Sequence, residues 1–300
     1  MAPIIRPARA DELHIAQQLV AQSINDLTER HGFGPMASAR PADFQRFSLN
    51  NDPDGLWVAE ADGEIVGFTF SWVNEEFWFL AELFINPARQ GDGIGGALMA
   101  RTSEHANKAG ARNRALITFT FNTVSQGLYI KHGLFPRLPL YFFRAERGAL
   151  KRQSRHERLR PVDMVDTPAH DELLARLDRS ALGFSRGKHH RFLYSEGTVR
   201  GFLLYRGENC VGYAYVSASG HIGPVAVLQR DDMGPAFATA LDLAAGVEAS
   251  HVSAFMPGVN DTSLEIAVAG GMRITFPMVL MSAEKFGDWQ RYLPRNPGFM

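Results

Sequence analysis

With one cysteine, Cys210, in 300 residues, the chain has no partner for an internal disulfide and no thiol cluster for zinc. Histidine adds no metal site either. Ten are scattered along the chain, only His189-His190 are adjacent, and neither acids nor thiols stand at ligand spacing around them. Charge of either sign is not in excess. The formal net charge of -1 gives no general attraction to nucleic acid or to an anionic membrane. Long apolar runs are missing as well, and Met1-Ala2-Pro3-Ile4-Ile5-Arg6-Pro7 carries no signal-peptide core. These absences predict a cytoplasmic protein that engages neither nucleic acid nor membrane. Apolar material is ample. At 45% hydrophobic and 21% charged residues the chain can bury a substantial core. Its length suits two domains of about 150 residues each.

The first half reads as a mixed α/β unit. Ile4-Ile5-Arg6 is a short strand, and Leu13, Ala16, Val20, Ile24 and Leu27 mark a helix over 11–27, with Asp11 and Glu12 expected in its first turn. Leu56–Glu60 and Ile65–Val73 flank Ala61-Asp62-Gly63-Glu64 as a hairpin, and Phe77–Ile85 is the next strand. A helix to about Ala109, a strand over 115–121 and a last strand over 138–144 follow. Phe68, Phe70, Trp72, Phe77, Trp78 and Phe79 could line a cleft, but a sheet core needs such residues anyway.

The most informative stretch is Arg89-Gln90-Gly91-Asp92-Gly93-Ile94-Gly95-Gly96, between the Phe77–Ile85 strand and the helix opening at Ala97-Leu98. A glycine-rich turn there leaves helix N–H groups unpaired, and the helix dipole adds partial positive charge, so phosphate is favoured. Gly91-x-Gly93-x-x-Gly96 satisfies the dinucleotide fingerprint only literally. Asn86–Gln90 separates it from the strand, and no acid lies about twenty residues on, where Arg112-Asn113-Arg114 stands. A Walker A loop would need Gly-Lys-Ser/Thr, which is absent.

What remains, Gln90-Gly91-Asp92-Gly93-Ile94-Gly95, resembles the Gln/Arg-x-x-Gly-x-Gly/Ala acyl-CoA signature of the GNAT superfamily of N-acetyltransferases. Glu82-Leu83-Phe84-Ile85-Asn86-Pro87 is similar to that family's fourth strand. Asn122-Thr123-Val124-Ser125-Gln126-Gly127-Leu128-Tyr129, with Gly133 beyond, resembles its later motif. Residues 122 and 129 stand two helical turns apart and so share a face.

The second half repeats the first in outline. Strands are expected over 198–205, 210–217 and 221–228, a helix over 234–247 and a strand over 251–256. Asn260 to Gly271 is eleven residues, as is Asn122 to Gly133. The copies are not equivalent. Gln229-Arg230-Asp231-Asp232-Met233-Gly234-Pro235 lacks the counterparts of Gly91 and Gly93, places two acids where a pyrophosphate would sit, and loses a donor at Pro235. Ala267 stands where Tyr129 would. The expected layout is a catalytic GNAT domain over 1–145, a basic linker over 146–160 and a degenerate GNAT-like domain over 161–300. Each lobe should be an α/β (α+β) mixed, mostly antiparallel sheet flanked by helices. Arg144, Arg147, Lys151, Arg152, Arg155, Arg158 and Arg160 crowd the join and read as a solvated linker rather than a binding arm. Asp178, Arg186, Lys188 and His189 read as solvated surface, with a place facing a cleft between the lobes as the alternative.

The resemblance implies acyl transfer from acetyl-CoA, as cosubstrate and with no metal, to an amine of a small molecule or peptide by direct attack in a ternary complex. It implies that Leu83, Phe84 and Ile85 hold the pantetheine arm. Gln90, Gly91, Asp92, Gly93, Ile94, Gly95 and Gly96 would receive the pyrophosphate. Asn122 would bind cofactor or cap its helix. Glu82 is the candidate general base, with Trp78, Leu80 and Phe84 as its expected face-mates; a structural carboxylate is the alternative. Tyr129 would protonate the departing thiolate; a core tyrosine is its alternative. A non-catalytic acetyl-CoA sensor is the competing function. Monomer and homodimer stay equally open.

Overall fold

The computed structural model describes residues 3–151 and 157–300. They form two compact units, one of residues up to Ile117 with Phe121–Phe135, the other of Thr118–Thr120 with Pro136–Met300.

In the first unit the order is β1 (Ile4–Pro7), α1 (Leu13–Arg30), α2 (Asp43–Asn51), β2 (Leu56–Ala61), β3 (Glu64–Asn74), β4 (Phe77–Ile85), α3 (Ile94–Lys108), β5 (Asn113–Phe119, of which the residues to Ile117 belong here) and α4 (Thr123–Lys131). The strands lie in the order β1-β2-β3-β4-β5, antiparallel except for the parallel β4/β5 pair. Phe68, Phe70, Trp72, Phe77, Trp78 and Phe79 are all buried and therefore core, and Trp72 stacks on Phe79 at 4.8 Å between centroids. Helix α3 covers one face through Ile94 and Leu98, which pack with Ala59, Ala61, Val66, Leu83 and Ile85. Ser71 Oγ lies 2.9 Å from His105 Nδ1, and His105 Nε2 lies 2.9 Å from Asp52 Oδ1. Ser71 is fully buried, so this line ties α3 to β3 rather than exposing a nucleophile. Asp11 and Glu12 fall outside α1. The Glu12 carboxylate precedes the helix, accepting from the Arg6 guanidinium at 2.7 Å and from the Arg9 backbone N–H at 2.8 Å.

In the second unit β6 (Phe135–Glu146), β7 (Arg160–Asp163), α5 (Pro168–Leu182), α6 (Gly187–Ser195), β8 (Val199–Arg206), β9 (Asn209–Ser217), β10 (His221–Val227), α7 (Met233–Ala245), β11 (His251–Pro257), α8 (Asp261–Ala269), β12 (Arg273–Ser282) and β13 (Tyr292–Leu293) follow in order. The sheet runs β12-β6-β11-β10-β9-β8-β7, with β13 added on β10. Strand β6 pairs antiparallel with β11 from Leu140↔Pro257 to Glu146↔His251. Helix α7 is apolar nearly all round and is buried accordingly, as Ala236, Phe237, Ala240 and Ala244 illustrate.

The eleven-residue recurrence corresponds to one local structure built twice. Asn122 caps α4 by accepting from Ser125 N–H, and Asn260 caps α8 by accepting from Ser263 N–H, both at 3.2 Å. Both helices are followed by a glycine at positive φ, Gly133 at 77° and Gly271 at 87°.

Asp178, Arg186 and His189 are fully buried, contrary to the surface reading. Asp178 accepts from the Tyr213 hydroxyl at 2.6 Å and the Arg186 backbone N–H at 2.8 Å, and lies 3.0 Å from His190 Nε2. Its carboxyl stays below the usual range despite burial, because His190, Arg186 and Tyr213 all favour its charged form. Of the basic stretch, Arg158 pairs with Asp242 at 2.7 Å, while Arg152 and Arg155 lie outside the described residues.

Candidate active site

The site begins with an irregularity in β4. Ser71 pairs with Leu80 while its neighbour Phe70 pairs with Glu82, so Ala81 is an extra residue on β4. A bulge of this kind moves every later side chain to the other face. Leu80 and Trp78 therefore lie on the face toward α3, and Glu82 and Phe84 lie opposite, beneath α1 and α2. The expected face-mates of Glu82 are thus corrected: Phe84 and the cross-strand Phe70 replace Trp78 and Leu80. Strand alternation cannot reveal a bulge that no glycine marks.

The two helices deliver their partners to that face. Gln45 Nε2 of α2 donates to Glu82 Oε1 at 2.8 Å, and Gln17 Nε2 of α1 donates to Glu82 Oε2 at 3.3 Å. Phe44, beside Gln45, meets Phe70 edge-on at 5.4 Å between centroids. Glu82 as a residue retains some solvent access, yet its carboxyl is enclosed densely enough that desolvation outweighs both amides and pushes it up to about 7.

At the same point the sheet opens. The parallel pairing of β4 with β5 runs from Phe77↔Asn113 to Leu80↔Leu116 and stops there. Ala81 to Ile85 are half-exposed, against the buried Phe77 to Leu80. Beyond Ile85 the chain turns through Pro87–Arg89 to Gly91 and Gly93, at φ 98° and 79°, conformations that L side chains rarely adopt. Gly93 is the N-cap of α3, whose first intrahelical bond runs from Ala97 N–H to Gly93 O at 3.2 Å. Ile94, Gly95 and Gly96 N–H groups precede it and have no partner among the described residues. A side chain on Gly91, Gly93 or Gly96 would meet nothing within 4 Å, so the cradle stands open. Asp92 is held away in an ion pair with Arg89 at 2.8 Å.

Tyr129 on α4 is buried, and burial pushes its hydroxyl well above the ordinary phenol range, although a hydrogen bond with Ser125 opposes the shift. Asn122 spends its side-chain oxygen on the helix cap. Among the described residues, no group of three or more His, Cys, Asp or Glu could hold a metal ion, and no helix is long and apolar enough to cross a membrane.

The corresponding region of the second unit differs. There β10 pairs with β11 only at His221 and Ile222, and β13 takes up its edge, Leu293 on Val225 and Tyr292 on Ala226. The strap around β13 is fixed along its length. Asn260 Nδ2 donates to Trp289 O at 3.2 Å, Val227 N–H to Arg291 O at 3.0 Å, and His221 Nε2 to Arg295 O. At the α7 end Asp232 is buried against Arg206, and Arg230 pairs with Asp288. The edge that is open in the first unit is covered here by the chain itself.

Gln17, Gln45 and the strap over 288–295 were not picked out from sequence. A glutamine on a helix has the pattern of a solvated residue, and a two-residue strand has no period. The one usable signal is Gln17, whose position one residue from Ala16 lies at the edge of the apolar stripe of α1.

The model of the Acetyltransferase (GNAT) family matches residues 17–134. An uncharacterized N-acetyltransferase of Archaeoglobus fulgidus is 33% identical over 115 residues, covering 34% of this chain and 72% of that protein. The uncharacterized N-acetyltransferase YhfO of Bacillus subtilis is 31% identical over 96 residues, and the match spans 64% of its length and 30% of this chain. Among solved structures, a candidate acetyltransferase from Pyrococcus horikoshii superposes with a TM-score of 0.77 at 19% identity, covering 97% of this chain and 93% of that one. A tandem GNAT protein from the clavulanic acid biosynthesis pathway superposes with a TM-score of 0.61 at 17% identity, covering 94% and 98%. At these identities the structural likenesses speak for the fold alone.

Proposed function

The chain belongs to the Acetyltransferase (GNAT) family, and from that premise we propose that its first unit transfers the acetyl group of acetyl-CoA to an amine of a small molecule or peptide. The observation that carries this reading is the parting of β4 from β5 after Leu80, with Glu82 at the fork and the open N-terminus of α3 at the far end of the same strand.

The residues present fit the cosubstrate. Three free N–H groups, no side chain in the cradle and the positive end of α3 suit a pyrophosphate. The edge of β4 over Leu83, Phe84 and Ile85, which β5 does not pair, suits the pantetheine arm, and the thioester it carries supplies the activated acyl group.

The remaining chemistry falls to the protein. An alkyl amine of pKa about 10.4 is free in only about one molecule in 2,500 at pH 7, a handicap of roughly 4.6 kcal/mol. Glu82, titrating at about 7, is half ionised there and can take the surplus proton, directly or through water. The amine lone pair then forms the bond to the thioester carbonyl carbon, the nitrogen gives up its remaining surplus proton to solvent, the carbon–sulfur bond breaks, and sulfur leaves with the electron pair. Tyr129, kept protonated by its burial, gives that sulfur a proton and regains one from solvent.

The second unit is assigned no cofactor. Its fork is filled by β13, its α7 entrance carries Asp231 and Asp232, and Ala267 offers no proton. Its proposed role is structural. A cytoplasmic setting, where acetyl-CoA is available, fits this reading.

The test is free-thiol release from acetyl-CoA by the purified chain across a broad panel of amines. Turnover with any of them supports the enzyme. Binding of acetyl-CoA with no thiol release from the whole panel points to the sensor instead.

A further inference from the structure

Glu82 has two partners, and both are amides. Gln45 serves Oε1 and Gln17 serves Oε2, so each carboxylate oxygen holds one neutral N–H donor. The amide orientation is forced, because an ionised carboxylate accepts and never donates. Both glutamines are buried, at 8% exposure each, and neither side chain makes another hydrogen bond among the described residues. A buried amide costs stability unless it is bonded, and Glu82 supplies the bond that each of these amides makes.

The choice of residue type matters. A lysine or arginine in either place would fix the carboxylate but lock it in the charged form as a weak base. Leucine or methionine would leave burial unopposed and the carboxyl protonated at neutral pH. A neutral donor lies between: it holds the anion without neutralising it. A carboxylate has about four lone-pair positions, so two are left for a substrate proton. Burial raises the Glu82 titration and the two amides lower it.

We infer that Gln17 and Gln45 are positioning residues that clamp the Glu82 carboxylate from two helices and keep it a usable base. The inference rests on the reading of Glu82 as the base, but its test does not.

The test is a carboxyl-carbon NMR titration of the full chain labelled at the glutamate side-chain carboxyl, with the Glu82 signal assigned by its loss in Glu82→Gln. The parent signal should titrate near 7. In Gln45→Met it should move up by about one pH unit or more, as expected for the loss of a hydrogen bond to a charged group. In Gln17→Met the move should be smaller, because that bond is longer. Gln45→Asn, which retracts the amide by one methylene, gives the same reading if the methionine variant does not fold. A Glu82 titration that stays in place in these variants, while melting temperature falls, would make the glutamines merely structural and overturn the inference. Thiol release in Glu82→Gln is read separately. If it equals the parent rate, the base assignment falls, and the clamp is still decided by the titration.

Discussion

Glu82 faces Phe70 across β3 and β4 because Ala81 takes up one extra residue of β4. Without that bulge the carboxylate would point toward α3 and the Ser71–His105 line, away from Gln17 and Gln45. One unpaired residue thus decides which face holds the candidate base.

Glu82→Gln should lower kcat/KM for amine acetylation by about 10²- to 10⁴-fold, while acetyl-CoA affinity by calorimetry holds. In the parent, kcat/KM should fall as pH drops below about 7, the value to which burial raises the carboxyl. In Glu82→Gln the break near 7 should disappear, leaving only the fall that the amine's own protonation imposes below about 10.4, and this is the specific signature. A residual rate with the same break would transfer the role to another group.

The same carboxyl bears on stability. Folded Glu82 titrates at about 7 and unfolded glutamate at 4.5. Between these values the folded chain keeps a proton that the unfolded chain has released, so raising pH across this window weakens the fold. Glu82→Gln should therefore melt higher than the parent at pH 8, with the difference shrinking toward pH 4.5. Scanning calorimetry at the two pH values checks this, and an equal difference at both would contradict it.

Tyr129→Phe keeps the ring and removes the hydroxyl. Turnover should fall by about 10²-fold or more with little change in acetyl-CoA affinity. A variant as fast as the parent would make Tyr129 a core residue only.

Asn122 and Asn260 make the same cap, yet their replacement should not cost the same. Asn122→Ala should lose about 1 kcal/mol, the ordinary value of an N-cap. Asn260→Ala should lose more, because Asn260 is buried and also donates to Trp289 O of the strap. Chemical denaturation of the two variants compares them directly; equal losses would separate the strap from Asn260.

Much of this structure was legible in the sequence because its signals are local. Period-two runs located β3, β4, β9 and β10, and positive-φ glycines marked the turn before α3. The matched Asn-to-Gly spacings pointed to a repeat, which the structure builds as two helices with the same cap. What stayed hidden depends on pairing at a distance. The Ala81 bulge turned Glu82 to the other face, and the helix-borne Gln17 and Gln45 found their use only across 65 and 37 positions of sequence. Asp178, Arg186 and His189 read as surface because charge usually does. They are buried because Tyr213 and His190 satisfy Asp178 inside the second unit. The strap at 288–295 earned no notice because two residues of strand carry no pattern.

The most direct measurement is a calorimetric titration of acetyl-CoA into the parent and into Gly93→Leu. Nothing lies within 4 Å of a side-chain carbon added at Gly93, and its φ of 79° confines the strain to the loop, so the circular dichroism spectrum should be unchanged. The parent should bind one equivalent per chain, since β13 fills the second fork, and the variant should bind none. Unchanged affinity in Gly93→Leu, or two equivalents in the parent, would contradict the placement of the cosubstrate on the α3 loop of the first unit alone.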